Sequence, residues 1–110
     1  NMEEEKTMEA AALRFDPTRD AAPVILALGQ GEMAKRIVKQ AREDDIPVVE
    51  DAPTAGMLNR FAVGDVIPPE MYEVVAKILV FISQADAEYA QAVSIANTDR
   101  NQDEKEGGRL

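Results

Sequence analysis

The chain has 110 residues with 12 basic and 21 acidic side chains, a formal charge of -9 and 45% apolar residues, enough for one small domain with a core and too few for two. It contains no cysteine and no histidine, which excludes disulfides, thiolate nucleophiles, zinc held by those ligands and Ser-His-Asp triads. The acidic balance opposes a nucleic-acid partner, because neutralising phosphates requires a basic face.

The N-terminal Asn1-Met2-Glu3-Glu4-Glu5 has neither the basic nor the apolar region of a signal peptide. Asn1 reads as a vector remnant ahead of a native start at Met2, and residues 1–7 are expected to fray. Met8 to Phe15 carries apolar residues into the turn sequence Asp16-Pro17-Thr18-Arg19-Asp20. A short strand before a tight turn fits best, although Ala10 to Ala12 would equally suit a helix. Pro23 to Leu28 is a continuous apolar, β-branched run between proline and glycine, the pattern of a strand buried on both faces.

After Gly29 to Gly31, the apolar positions Ala34, Ile37, Val38 and Ala41 recur at helical spacing, which predicts a helix over residues 32–44. Ile46 to Glu50 is short and β-branched, so strand, helix and strand form an expected right-handed βαβ crossover with parallel strands. Asp51 to Thr54 opens a short helix over residues 55–60, residues 62–67 form an irregular loop, and Pro68-Pro69 starts a longer helix with Glu70 in its first turn. That helix places Met71, Val74, Val75, Ile78, Leu79 and Ile82 on one side. The longest apolar runs, Val24 to Leu28 and Ile78 to Ile82, fall far short of the roughly 20 residues that cross a bilayer, so no membrane insertion and a cytoplasmic location are expected.

The fold class expected is therefore α/β, a small mixed sheet of about three strands with a βαβ unit, surrounded by three helices. Residues 8–82 form the domain, 83–96 a C-terminal helical extension, and 97–110 a disordered acidic tail. The spacing of Met71, Val75, Ile78, Ile82, Ala85, Tyr89, Ala92 and Ala96 alternates four and three residues, as a coiled-coil seam does. It fits self-association through the C-terminal helix or, equally, docking of its first half on the sheet with a frayed remainder.

Two patterns could carry chemistry. Gly29-Gln30-Gly31-Glu32-Met33-Ala34 matches a dinucleotide fingerprint between strand and helix, with Glu50 and Asp51 about twenty residues on. Glycines are also needed simply to leave a strand and enter a helix, and Glu32 would set a negative charge beside bound phosphates. The acidic residues Asp44, Asp45, Glu50 and Asp51 could in principle bind magnesium or act as an acid and base pair, but the plainer reading of such a set is a solvated face. No cofactor and no metal are expected.

Across residues 7–82, five punctuated segments occur together in order: D-P at Asp16-Pro17, A-A-P-V at Ala21 to Val24, G-x-G-E-x-A-K-R-I at Gly29 to Ile37, I-P-V-V-E-D at Ile46 to Asp51, and G-D-x-I-P-P-E-x-Y at Gly64 to Tyr72. In these the chain resembles the cytoplasmic domain of the FlhB/YscU family of flagellar and injectisome type III export gates. The resemblance implies a small sheet wrapped by helices. It also implies a loop bearing Asn-Pro-Thr-His ahead of the first strand, in which the asparagine side chain cyclises and breaks the chain before proline.

The corresponding positions here are Glu5, Lys6, Thr7 and Met8, and a carboxylate at Glu5 cannot form that succinimide. The other asparagines, Asn59, Asn97 and Asn101, precede Arg60, Thr98 and Gln102, so no Asn-Pro step replaces it. The family strand ahead of the cleavage loop is expected to be missing as well. The resemblance thus implies a stand-alone version of the post-cleavage fragment: a non-enzymatic adaptor or regulator of protein export, working in the cytoplasm at the export gate of the inner membrane. Its partners would be export-gate components or export substrates, with Glu50 and Asp51 as the surface recognition residues. A small nucleotide-binding protein built on the Gly29 to Gly31 turn is the alternative.

Overall fold

The structure, a computed structural model, describes residues 7–85 and 92–97. Its elements in chain order are β1 (Glu9–Arg14), β2 (Val24–Gln30), α1 (Glu32–Glu43), β3 (Val48–Glu50), α2 (Ala52–Leu58), α3 (Tyr72–Ala85, entered through one 3-10 turn at Pro69–Met71) and β4 (Ala92–Ala96). The four strands form one sheet in the order β2-β1-β4-β3. β1 runs antiparallel to both neighbours and β4 runs parallel to β3, so β2, β4 and β3 all point the same way.

The mixed sheet with three helices is as expected, with one strand more. The sequence pattern placed residues 83–96 in a helical extension, whereas Ala92–Ala96 is the strand between β1 and β3. Two-sided pairing decides this. Ala10 to Arg14 of β1 bond β4 on one side and Val48 to Glu50 of β3 bond it on the other, and buried backbone groups demand such partners. Of the predicted seam, Met71, Val75, Ile78 and Ile82 are buried on the domain's own core. Ala92 and Ala96 leave the seam for the sheet, and Tyr89 lies outside the described residues, as do residues 1–6 and 98–110.

The crossover also differs. β2 and β3 are parallel and joined through α1, yet β1 and β4 lie between them. β2 is an edge strand, not one buried on both faces. Its pairing with β1 steps from Ala12↔Ala27 to Leu13↔Ile25, which skips Leu26, and this bulged residue is 45% exposed. The irregular loop seals that edge. Ile25 N–H donates to the Asp65 carbonyl at 2.8 Å, Gly64 N–H to Ile25 at 2.8 Å and Ile67 N–H to Pro23 at 2.9 Å, leaving few free groups for another chain to pair with.

Alternation along the strands divides the core in two. Ala11, Leu13, Ile25, Val93 and Ile95 face α2 and α3, joining Ala55, Leu58, Ile67, Met71, Val75, Ile78 and Ile82. Ala10 and Ala96 turn to the other face, with Ala34 and Val38 of α1. Each fully buried branched side chain contributes about 1.5–3 kcal/mol, so the larger cluster under α3 dominates stability.

The carboxyl end of the sheet as a candidate partner site

Gly29, Ala10, Ala96 and Glu50 form one row across the sheet, each the registered partner of the next. The carboxyl ends of β2, β4 and β3 and the start of β1 therefore meet at one end of the molecule. That end of an α/β sheet is where ligands commonly bind. Three features that stand far apart in sequence converge there: the Gly29 to Gly31 turn, Thr7 and Met8 ahead of β1, and Glu50 with Asp51. A shallow depression at this end is lined by Thr7, Glu9, Gln30, Ala52, Pro53 and Asn97.

The two glycines have structural duties. A Cβ on Gly29 would stand 2.6 Å from Met33 Cγ and 2.9 Å from Ile37 Cδ1, so the bare backbone is what lets α1 lie against β2. Gly31 adopts φ 61 as the residue ahead of α1, and its N–H donates to the Met8 carbonyl at 2.7 Å. One of the backbone donors that a phosphate would use at this turn is thus already bonded within the fold. The exposed Glu32 opens α1 beside it.

Glu50 and Asp51 are adjacent in the chain and differ in what they do. Glu50 is exposed at the end of the short edge strand β3. Asp51 is half-buried and caps α2, its Oδ1 accepting from Thr54 N–H at 3.1 Å. Its own N–H donates to the Ala96 carbonyl at 2.9 Å. Asp44 and Asp45 do not join them, because β3 stands between the two pairs. Asp45 instead closes α1 in a left-handed conformation, φ 60, with Asp45 N–H on the Arg42 carbonyl and Ile46 N–H on that of Ala41. Among the described residues, no group of three or more carboxylates could hold a metal ion.

Glu9 belongs to this end and did not stand out in the sequence. Gln30 Nε2 donates to its Oε2 at 3.0 Å, and its Oε1 would lie 3.0 Å from a Cβ at Gly56. Glycine at position 56 therefore leaves room for the Glu9 carboxylate above α2. With Glu32, Glu50 and Asp51 nearby in the topology, the end is acidic and suited to a basic surface. The signal for Glu9 was only tertiary, since an isolated glutamate at a strand start looks like any solvated residue.

At the opposite end of β1, Arg14 Nε and Nη2 donate to Asp20 at 3.0 and 2.9 Å, and Asp16 N–H donates to Asp20 Oδ2 at 2.8 Å. The Arg14 guanidinium and that N–H hold the Asp20 carboxyl below its usual range. Asp16 accepts from the Thr18 hydroxyl at 2.7 Å and the Thr18 N–H at 3.0 Å, which lower its pKa too. This clasp fixes the turn and is structural.

Residues 7–82 match the sequence model of the family described as FlhB HrpN YscU SpaS. The chain is 37% identical over 78 residues to the uncharacterized protein YlqH of Bacillus subtilis (strain 168), covering 71% of this chain and 84% of that protein. It is 39% identical over 74 residues to the flagellar biosynthetic protein FlhB of Aquifex aeolicus (strain VF5), covering 66% of this chain and 21% of that one. The chain thus spans about a fifth of the length of the flagellar relatives it matches. Among solved structures, a mutated EscU C-terminal domain superposes with a TM-score of 0.66 at 30% identity, over 69% of this chain and 93% of that chain. The PscU C-terminal domain gives 0.65 at 25% identity, over 67% and 95%. Five ordered motifs, the mixed sheet with helices on both faces and these matches agree: the chain belongs to the FlhB, HrpN, YscU and SpaS family of flagellar biosynthesis and type III protein export.

Proposed function

We propose that this chain is a non-enzymatic adaptor or regulator of flagellar or type III protein export, which binds a protein partner at the carboxyl end of its sheet. The observation that carries the reading is the convergence of Glu9, Glu50 and Asp51 with Thr7 and Met8 ahead of β1 on that one end. The family assignment makes an export-gate component or an export substrate the natural partner, and the acidic rim favours one with a basic face. No asparagine amide stands at the positions of the family's cleavage loop, and the chain holds no Asn-Pro step, which supports a binding role. The place of work is the cytoplasm, at the export gate on the inner membrane. Among the described residues no helix is long and apolar enough to cross a membrane.

The test is capture of partners from the source bacterium with this chain as bait, read by mass spectrometry. Glu50→Lys combined with Asp51→Asn reverses the surface charge while keeping a capping side chain on α2, since asparagine caps as well as aspartate. Export proteins recovered with the native chain and lost with the double variant, at unchanged circular dichroism, are the expected result. Equal recovery by both chains would refute the acidic end as the binding surface.

A further inference from the structure

The family match ends at residue 82, yet the central strand of the sheet comes from beyond it. β4 is paired to Ala10 through Arg14 on one side and to Val48 through Glu50 on the other, and Val93, Ser94, Ile95 and Ala96 are at most 1% exposed. In the described sheet β3 has no strand neighbour except β4. A segment outside the family unit therefore fills a groove within that unit, between β1 and β3, and a strand sits there as a bound ligand would. We propose that this groove is a strand-binding site open to exchange, and that its occupant in trans is β4 of a second copy of this chain.

The chemistry of the groove defines what fits. On the α1 side it holds small groups, Ser94 and Ala96, beside Ala10 and Ala34. On the α2 and α3 side it takes branched apolar groups, Val93 and Ile95. The main chain is read at both ends, where Ser94 N–H donates to the Pro47 carbonyl at 2.9 Å and Asn97 N–H to the Glu9 carbonyl at 2.9 Å. A second copy carries the same segment and meets every one of these requirements. Closed and exchanged forms then share all contacts of β4 and differ only in which copy supplies it and where the two copies newly touch.

The surface just ahead of that connection supplies the second observation. Val80 and Phe81, on the last turns of α3, are 55% and 65% exposed, and they line a shallow apolar groove with Glu73, Ala76 and Lys77. Two copies that exchange β4 are joined through the segments that follow their α3 helices, and the exposed Val80 and Phe81 offer an apolar surface for the contact between them. Glu73 and Lys77 pair within one helix at 3.6 Å. About a two-fold axis the same two residues are self-complementary across the contact. The inference does not depend on the export reading.

Because the chain has no cysteine, disulfide trapping reads the exchange directly. Ala12 and Ser94 are registered partners across β1 and β4. Two full-length variants, Ala12→Cys and Ser94→Cys, are refolded together at high concentration in a glutathione redox buffer and resolved on a non-reducing gel. The expected result is a covalent heterodimer several-fold above that from Ala12→Cys mixed with Lys39→Cys, whose site lies on the exposed face of α1. The double variant Ala12→Cys/Ser94→Cys at low concentration should close an intrachain disulfide, which verifies fold and register. Heterodimer no greater than in the Lys39→Cys mixture, with that intrachain bond formed, would overturn the exchange. Failure of the intrachain bond would overturn the groove itself.

Discussion

The N–H of Asn97 donates to the carbonyl of Glu9 at 2.9 Å, so the last residue of the described chain is tied to the first residue of its first strand. A strand that precedes another through a tight loop must lie antiparallel beside it and end where it begins. β4 has that placement relative to β1, with Ala96 opposite Ala10, although it arrives from the far end of the sequence.

Residues 86–110 should accordingly be required for folding. A chain ending at Ala85 loses the buried Val93 and Ile95, worth about 1.5–3 kcal/mol each, together with the pairing of β3 to the rest of the described sheet. Against a typical total of about 5–15 kcal/mol, thermal unfolding followed by circular dichroism should lose its cooperative transition. A sharp transition in the truncated chain would contradict the central position of β4.

Ser94 Oγ is buried and has no hydrogen-bond partner among the described residues, facing the side of the sheet that carries Ala10 and Ala34. Removing a hydroxyl that burial leaves unbonded relieves a desolvation cost, so Ser94→Ala should stabilise the domain by about 1 kcal/mol. Urea titration would register this as a higher midpoint at unchanged slope; a lower midpoint would mean that the hydroxyl has a partner in solution.

Asp45 holds a left-handed backbone at the end of α1, a conformation that costs a side-chain-bearing residue roughly 1–2 kcal/mol, and it sets a carboxylate at the negative end of the helix dipole. Asp45→Gly removes both penalties. The melting temperature should rise by several degrees, and a fall would show that the Asp45 side chain makes a compensating contact.

The Asp16 and Asp20 carboxyls are held below their usual range by Thr18 and by Arg14, respectively. A depressed folded-state pKa means that the stabilisation is complete above the unfolded-state value, near 4, and is lost as the pH falls through the lower folded value. Stability should therefore decline on acidification below about pH 4. Asp20→Asn should flatten that acid limb while lowering stability at neutral pH. An acid limb identical in the native and Asp20→Asn chains would remove this clasp as its cause.

Much of the domain was legible in local pattern. The period of Ala34, Val38 and Ala41 marked the buried face of α1, Asp51 to Thr54 marked the approach to α2 although the helix spans Ala52–Leu58 and not 55–60, and Met71, Val75, Ile78 and Ile82 appeared on the buried side of α3 and its 3-10 entry. Of the candidate site, Glu50 and Asp51 were named from sequence. Their separate fates, one exposed and one spent on a cap, required the coordinates.

β4 was not legible, because Ala92 and Ala96 continue the four-and-three spacing of α3 and local periodicity assigns them to the helix. Two neighbouring strands with unpaired backbone on facing edges settled the matter, since a central strand satisfies both sets of N–H and C=O groups and a frayed helix satisfies neither. The same holds for β2. Its apolar run reads as a buried strand, but the bulge at Leu26 and its edge position follow from how β1 and the loop at residues 64–67 divide its two sides. Helix starts, helix faces and turns were fixed by neighbours in sequence. Which strand lies beside which was decided by hydrogen-bonding groups that only the assembled sheet brings together.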